Sequence, residues 1–354
     1  MVKKFITAWG ADPVELAAHP EIVEHLARFD LLSVFFNLDS FIPRIKSLNP
    51  NCKIIGYRDI MGANENLEDW SEINQHEDWF LHDLNGERLV NKNWGWCCLD
   101  IRNQEVRDHQ VNYMRNKLVL GFDGVFTDDV WTHFWRNQWT VDESLVPEIP
   151  EWHDEMRSFL QYIKRQLGNN LVIANTPNDA DYPYDCDGKA EERFPYAWPV
   201  LEEINALNVI SGAGKYYLAW PRLWENWTEQ EFLYSFGCFL LGVNGNNAHY
   251  GTDLWASQMG YYSQMDYDFG GARGACYVVE GDLYGRDFDN YKVLVNLSTT
   301  QAYSVEVEGV TYNIPAHSGV IVPWEAPPKK SLVKPVLVGL GLLELTAVIA
   351  KAGT

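Results

Sequence analysis

The chain has 354 residues, which is enough for two domains or for one closed α/β barrel of about 250 residues with a small appendage. Its 46% hydrophobic and 22% charged residues are typical of globular proteins and exclude disordered, collagen-like and low-complexity chains. The formal net charge of −21 argues against nucleic acid and against an anionic membrane surface as partners.

Aromatic residues are unusually frequent, with 15 Trp, 18 Tyr and 16 Phe. The six cysteines include no CxxC pair, so they indicate neither a zinc framework nor a disulfide-rich small domain. The N-terminal sequence MVKKFITAWGADP has no long apolar segment, so no signal peptide is visible. A cytoplasmic location is therefore expected, unless a leader has been removed.

Strand-like and helix-like segments alternate through the first two-thirds of the chain. The predicted strands are, in order, KKFITAWG, LLSVFFN, KIIGYRD, GVFTDD, LVIANTP, DGKAEERF, GKYYLAWP and NNAHYG. Helical spacing of apolar residues lies between them, most clearly in EIPEWHDEMRSFLQYIKRQL, and a long insertion follows the third strand at residues 60–102. Eight such units predict a parallel (β/α)₈ TIM barrel, an α/β fold, over residues 1–274.

The pattern changes to strict alternation from Ala275, which predicts a small C-terminal antiparallel β-sheet domain over residues 275–323. Residues 324–354 form an apolar tail of uncertain role. Lys334 and Glu344 interrupt its apolar run, so we expect it to pack or dangle rather than span a bilayer. Membrane contact through this tail is not favoured, and the sequence does not predict the oligomeric state.

Function in a TIM barrel lies at the carboxyl ends of the strands, so the residues that end each predicted strand are the candidates for the site. They are carboxylic acids, amides and aromatic residues: Trp9, Asn37, Asp59, Asp128, Asp129, Asn175, Glu191, Glu192, Trp220 and Tyr250. Histidine is absent from this set, which argues against a histidine-based metal site and against a Ser-His-Asp triad.

Two of the strand ends share one motif, because an acid lies five residues after an Asp-Gly pair in both Asp123–Asp128 and Asp187–Glu192. Side chains alternate along a strand, so Asp128 and Glu192 are predicted at similar depths in the barrel mouth. Paired carboxylates of this kind cleave glycosidic bonds. The alternatives are that these acids cap helices, or that a one-residue slip exchanges them with Asp129 and Glu191.

Seven of the tryptophans fall in the two loops after the third and fourth predicted strands. We predict that Trp94, Trp96 and Trp131 line a sugar-binding groove with Trp9 and Trp220 at its floor. Loop tryptophans that form a small core of their own are the alternative.

Signatures of cofactors and metals are missing from the chain. No GxGxxG or Walker loop follows a strand, and the histidines lack HExxH spacing. The acidic segment NDADYPYDCDGKAEE does not fit the ligand spacing of an EF-hand loop. No cofactor and no metal are predicted.

The segments GFDGVFTDDVW, INQHEDWFLHDLNGERLVNKNWGWCCLDIRN and DGKAEERF resemble the family known as hypothetical glycosyl hydrolase family 15. The resemblance runs from about Lys3 to Pro323. It implies a TIM barrel related to endo-α-1,4-polygalactosaminidase and α-galactosidase barrels, with the acid of the fourth strand as nucleophile and that of the sixth as acid/base. These roles fall on Asp128 and Glu192, although Lys189 stands where the family has an apolar residue.

The sequence therefore predicts a glycoside hydrolase that cleaves a poly- or oligosaccharide, through α-linkages and with retention of configuration. Two other functions stay open. One is a catalytically silent barrel that binds glycan or scaffolds an assembly, and the other is a metal-assisted lyase or aldolase.

Overall fold

The computed structural model describes residues 2–177, 182–221, 228–254 and 260–324. Of the predicted tail over residues 324–354, all but Trp324 lies outside these residues. Within them, no helix combines the length and the apolar character that crossing a membrane requires.

Eight parallel strands close into a barrel, as predicted from the alternation of strand and helix patterns. They are β1 (Lys3–Ala8), β2 (Leu31–Val34), β3 (Lys53–Asp59), β4 (Gly124–Asp128), β5 (Leu171–Asn175), β6 (Gly188–Glu192), β7 (Tyr216–Trp220) and β8 (Ala248–Asp253). Each strand pairs with its neighbours in chain order, and β8 pairs with β1. Inward side chains such as Phe5, Phe126 and Leu218 fill the lumen, so the barrel is a packed core.

Helices cover the outside of the barrel: α1 (Pro13–Ala18), α2 (Pro20–Leu26), α3 (Ile42–Leu48), α4 (Trp70–Ile73), α5 (Gln104–Leu118), α6 (Trp152–Leu167), α7 (Val200–Gly212) and α8 (Glu229–Gly242). The helical segment after β1 divides at Pro20, because proline cannot donate the backbone hydrogen bond that would continue α1. In the insertion after β3, Gly62–Ala63 pairs with Cys97–Cys98 above the end of the strand.

The C-terminal antiparallel strands also agree with the prediction. β9 (Tyr277–Glu280), β10 (Leu283–Asp287), β11 (Tyr291–Asn296) and β14 (Ser318–Pro323) form one sheet, and β12 (Tyr303–Val307) pairs with β13 (Val310–Ile314). The larger sheet packs on α8, which is therefore apolar on nearly all sides. A Cβ at Gly237 of α8 would lie 2.6 Å from Val295, so glycine permits this close packing.

A buried arginine joins the two parts of the molecule. Arg286 of β10 donates from one guanidinium nitrogen to the carbonyl oxygens of Leu240, Leu241 and Val243, at 3.0, 2.9 and 2.7 Å. These carbonyls end α8 and have no partner within the helix. Arg286 thereby satisfies them and neutralises the negative end of the helix dipole.

The repeated Asp-Gly pair has a structural role at the N-terminal end of the barrel. Asp123 accepts hydrogen bonds from the Ile54 amide of β3 at 2.8 Å and from Lys46 of α3 at 2.6 Å. Asp187 repeats the arrangement with the Val172 amide of β5 at 2.8 Å and with Lys164 of α6 at 2.7 Å. Each aspartate thus ties one strand to the preceding strand and to a helix.

The glycines of this pair are required by close contact between strands. A Cβ at Gly124 would lie 2.3 Å from the carbonyl oxygen of Leu171 in the next strand. A Cβ at Gly188 would lie 2.1 Å from that of Tyr216. The start of the motif therefore fixes strand packing, and its terminal acid lies at the opposite end of the strand.

Candidate active site

The two predicted carboxylates meet at the mouth of the barrel. Asp128 ends β4, Glu192 ends β6, and Asn175 ends β5 between them. The Asn175 side-chain amide donates to Oδ1 of Asp128 at 2.8 Å and to Oε2 of Glu192 at 2.9 Å. Because both oxygens contact one nitrogen, their separation cannot exceed the sum of these distances.

Further donors hold Asp128 in place. The Tyr57 hydroxyl of β3 donates to Oδ2 at 2.7 Å, and the Asp129 amide donates to Oδ1 at 2.9 Å. Both carboxylate oxygens are therefore oriented by neutral donors, and the hydrogen bonds come from both neighbouring strands. Burial raises the pKa of the Tyr57 phenol well above its usual range, and the nearby Asp128 raises it further, so Tyr57 remains a donor.

Asp129 lies beside Asp128 on the same cavity although consecutive side chains of a strand normally point to opposite faces. The reason is its left-handed backbone, with a φ of 55°. Asp129 accepts a hydrogen bond from the Trp131 indole at 3.0 Å. Non-glycine residues in this conformation concentrate at functional sites.

Asp59 completes a group of three neighbouring acids. It lies across from Asp128 in the register of β3 and β4, and the amides of Met61 and Gly62 donate to its Oδ1 at 3.0 and 2.6 Å. Its carboxyl is hydrogen-bonded to that of Asp129. A contact between two carboxyl groups requires a proton between them.

The pKa values of this pair agree with the contact. Burial raises the pKa of Asp59 to about 6, and the charge of Asp128 contributes. Burial also raises the pKa of Asp129 well above its usual range, and the negative charges of Asp59 and Asp128 raise it further. Both shifts favour the protonated forms, and the charge of Asp59 adds to the shift of Asp129.

A cavity of about 610 Å³ opens above these acids. Its described walls comprise Trp9, Tyr57, Asp59, Asn64, Trp94, Trp96, Asp128, Asp129, Trp131, Trp135, Asn175, Thr176, Pro177, Glu191, Glu192, Arg193, Ala197 and Trp198. Small-molecule sites commonly enclose about 300–1,000 Å³ and combine aromatic walls with a few convergent polar groups.

The tryptophans of the wall form two groups. Trp96 and Trp131 are 6% and 8% exposed and pack with Trp139, which is 3% exposed, so they belong to a small core that also borders the cavity. Trp94 and Trp135 are 60% and 39% exposed, and the Trp135 ring lies 5.1 Å from that of Trp131. Some loop tryptophans thus form a small core, as in the alternative considered from the sequence, and the binding of sugar by those that line the cavity remains a prediction.

Two predicted residues need correction. Trp220 is completely buried and supports Trp9 at a ring distance of 4.9 Å, so Trp9 alone of the two forms the floor of the cavity. Tyr250 lies outside the lumen, where its hydroxyl contacts Ser235 of α8 at 2.6 Å. The strand continues to Asp253, and Tyr250 occupies its helix-facing side.

Glu191 borders the cavity, but its carboxylate forms a buried ion pair with Lys189 at 2.6 Å. Both residues alternate with Ala190 and Glu192, and Ala190 belongs to the lumen. The unusual Lys189 is therefore the partner of Glu191 on the outer face of β6, and Glu192 is the acid that the strand directs inward.

Sequence reasoning missed Tyr57, Arg193 and Trp198, all of which line the cavity. Tyr57 could have been found, because it lies two residues before Asp59 on the same face of β3. The positions of Arg193 and Trp198 depend on the loop after β6, for which the sequence offers no periodic signal. In the part of the chain that the structure describes, no three His, Cys, Asp or Glu residues form a group that could hold a metal ion.

A parallel barrel with facing carboxylates in a tryptophan-lined mouth defines the class of glycoside hydrolases. The family model described as hypothetical glycosyl hydrolase family 15 matches residues 46–292, more than half of the chain. The chain belongs to this family. No curated protein sequence matches it significantly.

Solved structures share the fold. The noncanonic maltogenic α-amylase AmyB from Thermotoga neapolitana is 11% identical, with 91% of this chain and 96% of that chain covered and a TM-score of 0.56. The cyclic α-maltosyl-(1→6)-maltose hydrolase from Arthrobacter globiformis is 11% identical, with 91% and 98% covered and a TM-score of 0.52. The glycoside hydrolase domain of PelA from Pseudomonas aeruginosa is 13% identical, with 75% of this chain and 96% of that chain covered and a TM-score of 0.49.

Proposed function

We propose that this glycoside hydrolase cleaves α-linked oligo- or polysaccharides with retention, using Asp128 as nucleophile and Glu192 as acid/base. The observation that carries the proposal is the shared contact of Asn175 with both carboxylates. The donor distances of 2.8 and 2.9 Å place an upper limit on the separation of the two oxygens. That limit lies below the ~6.5 Å at which inverting enzymes begin and close to the ~5–5.5 Å of retaining ones.

In the first step, the Asp128 carboxylate attacks the anomeric carbon as the bond to the leaving oxygen breaks. Glu192 gives its proton to that oxygen, and a glycosyl ester on Asp128 results. In the second step, water attacks the same carbon, Glu192 takes up the water proton, and the ester bond breaks so that Asp128 leaves as a carboxylate. The sugar is released, and both residues return to their starting protonation states.

The surrounding residues have supporting roles. Tyr57 and Asn175 orient the two oxygens of Asp128, so that attack needs little side-chain reorganisation. The carboxyl groups of Asp129 and Asp59, both of which line the cavity, offer hydrogen-bonding partners for neighbouring hydroxyl groups of the sugar. Trp9 at the floor and Trp135 at the rim offer aromatic faces to the apolar faces of sugar rings.

The test begins with hydrolysis of a panel of α- and β-linked glycans and of the corresponding 4-nitrophenyl glycosides. Glu192→Gln should retain the first step on an activated aryl glycoside, because its leaving group needs no proton. Azide should then replace water and form a glycosyl azide of unchanged anomeric configuration. Asp128→Asn should form no intermediate and should not respond to azide.

The outcomes discriminate between mechanisms. An azide product of unchanged configuration from Asp128→Asn would contradict the assignment of Asp128 as nucleophile, and a product of inverted configuration from the native chain would replace retention by inversion. Wild-type hydrolysis rates in both variants would remove the assignment of these residues. Glycan binding without hydrolysis by the native chain would favour the catalytically silent barrel.

A further inference from the structure

A second cavity, of about 390 Å³, adjoins the first on the side of β3. The two cavities share the wall residues Tyr57, Asp59, Asn64 and Trp96. A ligand that extends from the first cavity past these four residues would occupy both cavities. The insertion after β3 and the segment that follows β2 form its outer rim.

The charged side chains of this second cavity are already paired. Arg58 is buried, donates to Asp69 at 3.0 and 2.7 Å and to Gln110 at 2.6 Å, and stacks on Tyr113. Glu68 accepts hydrogen bonds from Lys117 and Tyr113. An ionic ligand would have to break one of these pairs, so the cavity favours a neutral ligand.

The remaining surface combines aromatic rings with amide groups. Phe35 and Tyr57 meet edge to face at 5.3 Å, and Trp96 and Tyr113 continue the aromatic wall. Polar groups are provided by the side chains of Asn37, Asn64 and Asn66. Aromatic faces beside neutral donors and acceptors suit the apolar faces and the hydroxyl groups of a sugar ring.

The position of the second cavity relative to the two catalytic carboxyls indicates which part of a substrate it would hold. It borders Asp59 and Tyr57 of β3, on one side of Asp128, whereas Glu192 of β6 lies on the other side. The leaving group must be near Glu192, which protonates its oxygen. The second cavity therefore lies towards the glycone, the part of the substrate that remains bound to Asp128 in the intermediate.

We infer that the second cavity binds the sugar residue that precedes the cleaved one on the glycone side, and that the enzyme consequently prefers glycones of two or more residues. This inference rests on the proposed function for the direction of the chain. It explains why the wall of the second cavity, away from the catalytic pair, also presents aromatic rings and amides.

The test uses Asn37→Trp and Asn66→Trp, which place a large side chain at two exposed positions on the rim of the cavity. Asn51→Trp is the matched control, because Asn51 is exposed at the opposite end of the barrel, just before β3. Circular dichroism and thermal melting establish that each variant is folded. Two rim positions are used so that, if one variant fails to fold, the other variant still tests the inference.

Binding is measured by titration calorimetry in an Asp128→Asn background, which requires no turnover. The probes are α-1,4-linked glucose oligomers of one to four residues and the matching oligomers of any sugar that the panel identifies. The gain in affinity from the first to the second residue should be at least about tenfold in the control. It should fall to less than about threefold in either rim variant.

Hydrolysis is measured separately with 4-nitrophenyl glycosides of one, two and three residues, in chains that retain Asp128. The ratio of kcat/KM between the two-residue and one-residue substrates should fall in the rim variants by the same factor as the affinity ratio. Equal ratios in the rim variants and the control, or no binding of any oligomer, would overturn the inference. Failure of hydrolysis with an intact affinity ratio would instead contradict the proposed function.

Discussion

The two ends of β4 carry aspartates five residues apart, and their surroundings differ completely. Asp123 at the N-terminal end contacts Lys46 and Lys53 and a backbone amide. Asp128 at the carboxyl end contacts a phenol, a side-chain amide and a backbone amide. Cationic partners lock an acid into the structure, whereas neutral donors orient it and leave its charge for a substrate. The motif thus unites a stabilising acid and the acid that we propose to be the nucleophile.

β6 repeats this difference. Asp187 is tied to Lys164 and to the amide of Val172, and Glu192 contacts Asn175 at the mouth. The two strands are separated by β5, whose Asn175 contacts both proposed catalytic acids. A TIM barrel commonly divides its ends in this way, with stability at the N-terminal end of the strands and chemistry at the carboxyl end.

The largest effect is expected from Asp128→Asn. The substitution keeps the shape of the side chain and one acceptor oxygen, and it removes the nucleophilic charge. Its amide nitrogen can face the Tyr57 hydroxyl, which can accept as well as donate. Hydrolysis should fall by at least ~10²–10⁴-fold, while the melting temperature should change by less than about 3 °C. Single-turnover kinetics and calorimetry measure the two quantities. A large loss of stability with retained activity would reverse the roles assigned to the two ends.

Asp123→Ala should give the opposite result at the other end of the same strand. It removes the acceptor for the Ile54 amide and the partner of Lys46, so the free energy of unfolding should decrease by about 1–3 kcal/mol. The kcat/KM of the folded variant should remain within about twofold of the native value. Urea unfolding and steady-state kinetics below the transition provide the measurements, with Asp187→Ala as the parallel variant.

The Asp59–Asp129 pair should make the mouth less stable as the pH rises. Both pKa values are raised in the folded state, Asp59 to about 6 and Asp129 further, whereas an unfolded aspartate has a pKa of ~3.9. The folded state therefore binds more protons above about pH 4, and stability is lost as the pH rises through the folded pKa values.

Asp129→Asn should flatten this pH dependence. The asparagine amide can donate to Asp59 as the protonated acid does, and asparagine tolerates the left-handed backbone at this position. Each proton involved contributes up to about 1.4 kcal/mol per pH unit, so the difference in slope is measurable by urea unfolding between about pH 5 and 8. Identical slopes in the variant and the native protein would exclude the shared proton.

The smallest effect is expected at the rim. Trp135→Ala should weaken sugar binding by about 1 kcal/mol, roughly fivefold, because it removes an exposed aromatic face. Its melting temperature should remain nearly native. Trp139→Ala is the control, since Trp139 is buried in the same cluster and does not line the cavity. Trp139→Ala should lower the free energy of unfolding by about 3–5 kcal/mol. Equal losses of stability in both variants would refute the distinction between an exposed tryptophan at the rim and a buried tryptophan in the cluster.

The sequence by itself was sufficient to predict the barrel, the C-terminal sheet and the convergence of Asp128 and Glu192. These features depend on local periodicity and on the rule that parallel strands end at the same face, both of which are readable along the chain. The alternation of side chains along β3 would also have predicted that Tyr57 faces the same side as Asp59. The assignment of catalytic roles to the two acids remains a prediction.

Tertiary structure decided the features that depend on distant neighbours. Tyr250 points towards α8 because the register of β8 with β1 pairs it with Lys4, whereas the next pair, Gly251 and the lumen residue Phe5, faces inward. Lys189 is buried because Glu191 neutralises it on the outer face of β6. The contact between Asp59 and Asp129 requires two strands, a tight turn and one left-handed residue to meet. No sequence pattern within either segment predicts this contact, because it is stabilised by packing between segments that are far apart in sequence.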